Sequence, residues 1–315
     1  MNIVLLANHV YALPVLHYLA QQKQLQAVVI PATIQEYNLQ VERAAGMHGI
    51  PCKRISRREL HHTFSDWLKT QQTEIVIAYT FSFRIPEKVL SIPVFGFFNV
   101  HYSLLPAYRG PFPVFWQMKN GDPTGGVTIH RMSGEFDTGP VVFQQPVPVG
   151  AGDTYGTYSS KLGGVSLNLV YQLLQTLVNG SSLSTHTQDE SRSTYFSRPG
   201  PTDLAINWTQ NTAVEIEALV NACNYEMGGA VTVFRGQPVK ILEVSQASVQ
   251  TADTVPGTIV HSDHTNGVFV ACRNRQFLRI NIIQLTEGVV SGFRLAAFGL
   301  KPGERFEQYT ETPPI

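Results

Sequence analysis

Apolar runs and helical spacings alternate along the first half of the chain. Asn2 to Leu6 is a short apolar run of the kind that forms a buried parallel strand. Leu13, Leu16 and Leu19 then fall on one helical face, and Leu25 to Ile30 reads as a second strand ended by Pro31. Helical patterns over 37–48 and 58–70 precede a further apolar strand from Glu74 to Tyr79. This alternation predicts an α/β fold with a doubly wound parallel sheet and right-handed crossovers. Such sheets bind ligands beyond the carboxyl ends of their strands, so the loops after Leu6, Tyr79 and Val100 are where a site is expected.

From Asp153 to Gly180 the spacing of Leu162, Val165, Leu169, Leu173 and Leu177 predicts one helix with a buried face. Residues 181–212 are rich in Ser, Thr, Asn and Pro, with Arg198-Pro-Gly-Pro201 as the clearest break, and 181–206 reads as a linker. A short helix at 212–223 follows. Beyond it, strand-like runs at Ala230–Phe234, Val239–Val244, Gly257–Val260, Val268–Cys272 and Phe277–Leu285 are punctuated by Gly, Asp and Pro. They predict a small β-barrel. The domain expectation is a first domain over 1–180, the linker, and the barrel over 207–315.

Composition changes this picture little. With 315 residues the chain is long enough for two cores. Its 23 basic and 23 acidic residues balance, so no global field favours a polyanion. The three cysteines, Cys52, Cys223 and Cys272, are far apart and odd in number, which excludes a disulfide framework and suggests a reducing compartment. No apolar run reaches the roughly 18 residues that span a bilayer, and a cytoplasmic location without a membrane partner is expected.

The chemistry concentrates in Gly96-Phe-Phe-Asn-Val-His-Tyr-Ser-Leu-Leu-Pro-Ala-Tyr-Arg-Gly110. It starts as a buried strand and delivers Asn99 and His101, two positions apart, to one side of the strand's end. Another strand, Gly126 to Met132, leads into Ser133-Gly-Glu-Phe-Asp137-Thr-Gly139, which offers a carboxylate. An amide, an imidazole and a carboxylate form a sensible set for moving an acyl group onto an amine. Asn99 and a protonated His101 can stabilise the oxygen on which charge builds. Asp137 can orient the ring, favour its charged form and take a proton from the attacking amine.

These residues carry a resemblance. Asn99-Val-His101-Tyr-Ser103-Leu-Leu-Pro106, Tyr108-Arg109-Gly110, Pro113, Trp116, Gly121-Asp122, Gly126-Val-Thr-Ile129 and Asp137-Thr-Gly139 are similar to the 10-formyltetrahydrofolate-dependent formyltransferases. The resemblance implies that Asn99, His101 and Asp137 are catalytic and that 10-formyltetrahydrofolate is the cosubstrate, with no metal. It places the folate pocket on the loop over Ala78–Pro86, with Tyr79, Phe81, Phe83, Arg84 and Ile85, and on the turn with Ser133, Gly134, Glu135 and Phe136. Ser103, Arg109, Gly110 and Phe112 are the substrate-contact candidates. Asn207-Trp208, Val220 to Asn224, Gly228-Gly-Ala230 and Lys301 to Phe306 resemble the OB-like C-terminal domain of methionyl-tRNA formyltransferases.

The acceptor is where the chain departs from those enzymes, in which a long basic loop after the second strand engages tRNA. Here Ala32 to His48 holds Arg43 against Glu36 and Glu42, and residues 204–315 hold eight basic and ten acidic residues. Nucleic-acid surfaces show basic stripes. A small or carrier-bound amine is therefore the expected acceptor, with methionyl-tRNA as the alternative and a non-catalytic binding module as a reading of another class.

Blander readings apply elsewhere. His130 reads as a half-buried structural histidine ahead of a cleft partner, and His61-His62 as a solvated face. Ser103 lacks a GxSxG elbow and reads better as a turn cap than as a nucleophile. Arg109-Gly110 is evenly balanced between contacting substrate and shaping its loop. No metal-spaced His or Cys motif and no GxGxxG follows the first strand.

Overall fold

The computed structural model describes residues 1–224, 226–247 and 253–310. Its first sheet is built from β1 (Ile3–Ala7), β2 (Leu25–Pro31), β3 (Cys52–Ile55), β4 (Ile75–Tyr79), β5 (Gly96–His101), β6 (Thr124–Arg131) and β7 (Val141–Pro148). The order is β3-β2-β1-β4-β5-β6-β7. The first five strands run parallel; β6 and β7 add on antiparallel. β1 and β4 are buried at all five positions, which is why their sequences are continuously apolar. Strand order reverses between β1 and β4, the switch point at which doubly wound sheets place their ligands.

The helices of this half are α1 (Leu13–Gln21), α2 (Glu36–Met47), α3 (Arg57–His62), α4 (Phe64–Thr70), α5 (Glu87–Leu90), α6 (Pro113–Lys119) and α7 (Tyr155–Val178). The single helix expected over 58–70 is two, because Thr63 (φ −117°) closes α3 and opens α4. α3 begins on a capping box in which Ser56 and Glu59 satisfy each other's backbone N–H groups. Leu60, Phe64 and Leu68 pack with Val4, Leu6, Val76, Phe81 and Ile85 in one core cluster on this sheet. That cluster fixes the loop after β4 from below.

The chain divides into two compact units. The first comprises Met1–Pro113, Thr124–Pro148 and Ser159–Ser197; the second comprises Val114–Pro123, Val149–Tyr158 and the chain from Arg198. The segment 181–197, whose composition reads as a linker, belongs to the first unit. It bridges to β7 by paired backbone bonds between His186 and Val141 (2.8 and 2.9 Å).

The second unit contains α8 (Ala213–Cys223), β8 (Ala230–Phe234), β9 (Gln237–Ala247), β10 (Ile259–Asp263), β11 (Gly267–Ala271), β12 (Phe277–Leu285), β13 (Gly288–Ser291), α9 (Gly292–Ala297) and β14 (Phe306–Glu307). The order β10-β11-β12-β9-β8-β14 curls until its ends meet: Ile259 N–H bonds Glu304 O at 2.8 Å and Phe306 N–H bonds Gly257 O at 2.8 Å. The closure leaves few exposed edges and gives an OB-like barrel. Cys52, Cys223 and Cys272 are all free. Among the described residues no helix is long and apolar enough to cross a membrane.

Candidate active site

β5 and β6 create the site by their register. Asn99 stands opposite His130, and His101 opposite Thr128. Asn99 Nδ2 lies 3.2 Å from His130 Nε2 and donates to Asp137 Oδ1 at 3.2 Å. His130 Nδ1 lies 2.9 Å from the carbonyl of Arg131 and therefore carries the proton, leaving Nε2 to accept from Asn99 in the neutral ring. His130 is 1 % exposed and joins the cluster directly. The sequence favours a structural histidine over a cleft partner here; the antiparallel register of β5 on β6 brings it to the cluster.

His101 donates Nε2–H to the Tyr108 carbonyl at 2.8 Å, and its Nδ1 faces Asp137 Oδ1 at 3.6 Å. His130 Nε2 is likewise 3.6 Å from that oxygen. At 3.6 Å neither is a hydrogen bond, and each attracts the carboxylate only when its ring is protonated. The second carboxylate oxygen accepts from Gly110 N–H at 2.9 Å. Burial pushes the Asp137 carboxyl upward, but the two histidines and the Gly110 N–H outweigh it and hold the group well below the usual carboxylate range.

The loops that carry these groups are conformationally demanding. Tyr108 (φ 60°), Phe112 (φ 58°), Asp137 (φ 58°) and Thr80 (φ 51°) are non-glycine residues in the left-handed region, at the ends of the strands around the site. Gly110 (φ 96°) has no room for a side chain, since a Cβ there would meet Phe196 O at 2.3 Å. The Leu105–Pro106 peptide is cis.

The remaining expected contacts separate into buried and open groups. Tyr79, Phe81 and Ile85 are buried, with Tyr79 Oη bonding Ser166 Oγ at 3.1 Å and Phe81 and Ile85 in the core cluster. Phe83 packs edge-on against Phe81 (5.5 Å between centroids). Arg84 donates to the Gly134 carbonyl and pairs with Glu135, tying the loop after β4 to the turn before Asp137. Ser133 Oγ donates to the Glu135 carbonyl at 3.2 Å, and Phe136 is 41 % exposed.

Ser103 is fully buried and donates to the Ala107 carbonyl at 2.6 Å, closing the Leu-Leu-Pro turn. Arg109 is also buried. Its guanidinium is engaged by Gln188 (2.8 and 3.2 Å) and Glu190 (2.7 and 2.8 Å). Of the four substrate-contact candidates, Gly110 reaches the cluster through its N–H, and Phe112 is half-buried. The loop after β1 adds His9, stacked on Tyr11 at 4.0 Å and against Tyr37 at 4.1 Å. Among the described residues no three His, Cys, Asp or Glu side chains group to hold a metal.

A site with Asn99 and His101 at the end of β5 and Asp137 on the turn between β6 and β7, in a doubly wound sheet followed by an OB-like barrel, defines a class. The family described as formyl transferase matches residues 1–173, and the formyl transferase C-terminal domain matches residues 200–292. The chain belongs to the formyltransferase family, whose members are enzymes. It is 30% identical to the methionyl-tRNA formyltransferase of Ralstonia nicotianae over 76% of this chain and 73% of that protein. The figures for the Nitrosomonas eutropha methionyl-tRNA formyltransferase are 31%, 78% and 76%.

Solved structures share the fold at lower identity. WlaRD, a sugar 3N-formyl transferase determined with dTDP and 5-N-formyl-THF, superposes with a TM-score of 0.66 at 18% identity, covering 88% of this chain and 96% of that one. HypX from Aquifex aeolicus, in complex with tetrahydrofolic acid, gives a TM-score of 0.65 at 16% identity, covering 96% of this chain and 48% of that one.

Proposed function

We propose that this protein moves the formyl group of 10-formyltetrahydrofolate to the amine of a small or carrier-bound acceptor, in a cytoplasmic setting. The observation that carries the reading is the cluster of half-buried Asn99 with buried His101, His130 and Asp137 at the carboxyl end of β5. A folate fits the residues present. The Ala78–Pro86 loop and the Ser133–Asp137 turn, joined through Arg84, offer exposed Phe136 and half-buried Phe83, whose ring lies under the Arg57 guanidinium, while buried Tyr79, Phe81 and Ile85 leave that loop's backbone to meet a polar ring edge.

When bound, the folate supplies its N10 formyl carbon as electrophile; the acceptor nitrogen bonds to it as the bond to N10 breaks. The protein's task is to hold charge and protons. Both N–H groups of Asn99 are engaged, by His130 and Asp137, so one must turn to the formyl oxygen as charge builds there. His101 has an oxygen facing each ring nitrogen, an arrangement in which a doubly protonated ring finds an acceptor for both N–H groups. Asp137, held ionised, is the acceptor for the proton the amine loses, and the departing N10 regains one proton in its place, so no net proton is left on the protein.

The connection from β2 to α2 supports a small or carrier-bound amine. It is Ala32–Gln35, without a Lys or Arg, where tRNA-modifying members carry a long basic loop. On the barrel, Arg235 and Arg275 are already paired, with Glu304 and Asp253. The likeness in sequence to methionyl-tRNA formyltransferases favours the second reading, transfer to methionyl-tRNA. The test is tetrahydrofolate release from 10-formyltetrahydrofolate with methionyl-tRNA, amino-sugar nucleotides, carrier-bound aminoacyl groups, or hydroxylamine as a surrogate amine. Turnover with small or carrier-bound amines is expected. Turnover with methionyl-tRNA alone would favour the second reading, and no turnover with any acceptor would favour a binding module.

A further inference from the structure

Between residues 181 and 197 one side chain alone is buried, and it is Gln188, at 6 % exposure. Its Nε2 donates to the carbonyls of Asp137 and Gly139, both at 2.7 Å. Its Oε1 accepts from Arg109 Nη2 at 2.8 Å and Nε at 3.2 Å. Two donors and two acceptor directions are all used. Arg109 also fixes which way the amide points, because the flipped amide would set its oxygen against two carbonyls and its N–H groups against a guanidinium.

The two carbonyls belong to the turn that aims Asp137. Asp137 itself sits at φ 58°, a conformation that persists only where its surroundings over-determine it. Gly139 is held as tightly from the other side, since a Cβ there would meet Arg131 O at 1.7 Å. The same strap holds the second loop of the site. Arg109 N–H donates to Thr194 O, and Phe196 N–H to Arg109 O, each at 2.9 Å. Tyr108 N–H donates to Thr194 Oγ1 at 2.9 Å, and its ring stacks on Phe196 at 5.1 Å. Tyr108 supplies the carbonyl that holds His101, and Gly110 the N–H that holds Asp137.

We propose that Gln188, anchored by Arg109, is the positioning residue for Asp137: its amide holds the Asp137–Gly139 backbone so that the carboxylate stays among Asn99, His101 and His130. The inference rests on the formyl-transfer reading, in which Asp137 takes the proton. A displacement of about 1 Å at such a group can cost on the order of a hundredfold in rate. Loss of the outer support of a functional side chain commonly costs about 10- to 100-fold.

The test compares Gln188→Met, which keeps the volume and removes all four hydrogen bonds, with Gln188→Glu, which keeps the Arg109 partner and loses both donors. With hydroxylamine as acceptor, each variant is expected to lose about 10- to 100-fold in kcat. KM for 10-formyltetrahydrofolate should move less than about threefold, since Gln188 supports the proton acceptor and not the folate loops. The acid limb of the kcat/KM profile should move to higher pH, because a carboxylate released from its partners protonates more readily. Cooperative melting close to wild type accompanies this in at least one variant. Wild-type kcat and pH profile in a folded variant, or failure of both variants to fold, would overturn the proposal, the latter by showing a purely structural role. Wild type and Asp137→Asn separate the levels: if wild type shows no folate-dependent turnover, the formyl-transfer reading fails; if Asp137→Asn turns over like wild type, the proton-acceptor role and the inference built on it fail; if Asp137→Asn is inactive while Gln188→Met keeps wild-type kcat, only the positioning role fails.

Discussion

Asn99 and His130 face each other across the β5–β6 register, with the amide nitrogen of one 3.2 Å from Nε2 of the other. The contact makes His130 the support that fixes the direction of the Asn99 amide, because its Nδ1–H is committed to the Arg131 carbonyl. His130→Ala is expected to lower kcat by about 10- to 100-fold, through a misdirected oxyanion donor, with KM for the folate within about threefold. Steady-state kinetics with hydroxylamine reads both; an equal loss in binding would show that His130 shapes the folate pocket instead.

The Asp137 carboxyl couples acid stability to the site. Burial opposes its ionisation, but His101, His130 and the Gly110 N–H prevail, so its folded value lies below the roughly 3.9 of a free aspartate. The unfolded chain therefore takes up this proton first as pH falls. The stabilising contribution is full above that unfolded value and is lost as pH drops through the folded one. Between about pH 5 and pH 2 the urea midpoint of wild type should fall more steeply than that of Asp137→Asn. Parallel profiles would show that the carboxylate is not held by these partners.

Gly110 carries a steric prediction. Its φ of 96° and a Cβ position 2.3 Å from Phe196 O leave no conformation for alanine without moving the strap. Gly110→Ala should destabilise by about 2 kcal/mol or more and lower kcat as well, since the Gly110 N–H holds Asp137. Chemical denaturation and kinetics on the same preparation check the pair of effects.

The three thiols should be slow to react. Burial pushes Cys223 and Cys272 up to about 12, and burial with Glu42 nearby pushes Cys52 up to about 11 despite Arg54. The thiolate is the reactive form. At pH 8, alkylation of native protein by iodoacetamide should leave all three largely unmodified, with Cys52, the least buried, labelled first. Mass spectrometry after urea unfolding should then show full labelling.

What the sequence displayed, and what it hid, follows the range of the contacts. Gly96–His101 announced itself because a strand paired on both sides and largely buried is mostly apolar, and two polar side chains at its end stand out. The barrel strands β8 and β12 were legible for their alternation and turn residues. β7 was not anticipated, since as an edge strand it is exposed at half its positions and its apolar start, Val141-Val142-Phe143, breaks off at Gln144-Gln145-Pro146. β3 was hidden likewise by Lys53 and Arg54 at the opposite edge. Gln188 lay in a polar stretch that composition assigns to a linker, and its partners are 49, 51 and 79 residues away. Arg109 looked equally like a substrate contact and a loop residue until its partners, Gln188 and Glu190, were seen to occupy the guanidinium.

The central claim is that His101 serves the reaction at the end of β5 and not the binding of the folate. His101→Ala tests it most directly, with tetrahydrofolate binding followed by fluorescence and formyl transfer followed by folate release. Loss of a single stabiliser of the developing charge typically costs about 3 to 4 kcal/mol, two to three orders of magnitude in rate. A loss of that size or greater in kcat is expected, with the folate dissociation constant within about threefold of wild type. Unchanged turnover, or folate binding that falls in step with turnover, would contradict it.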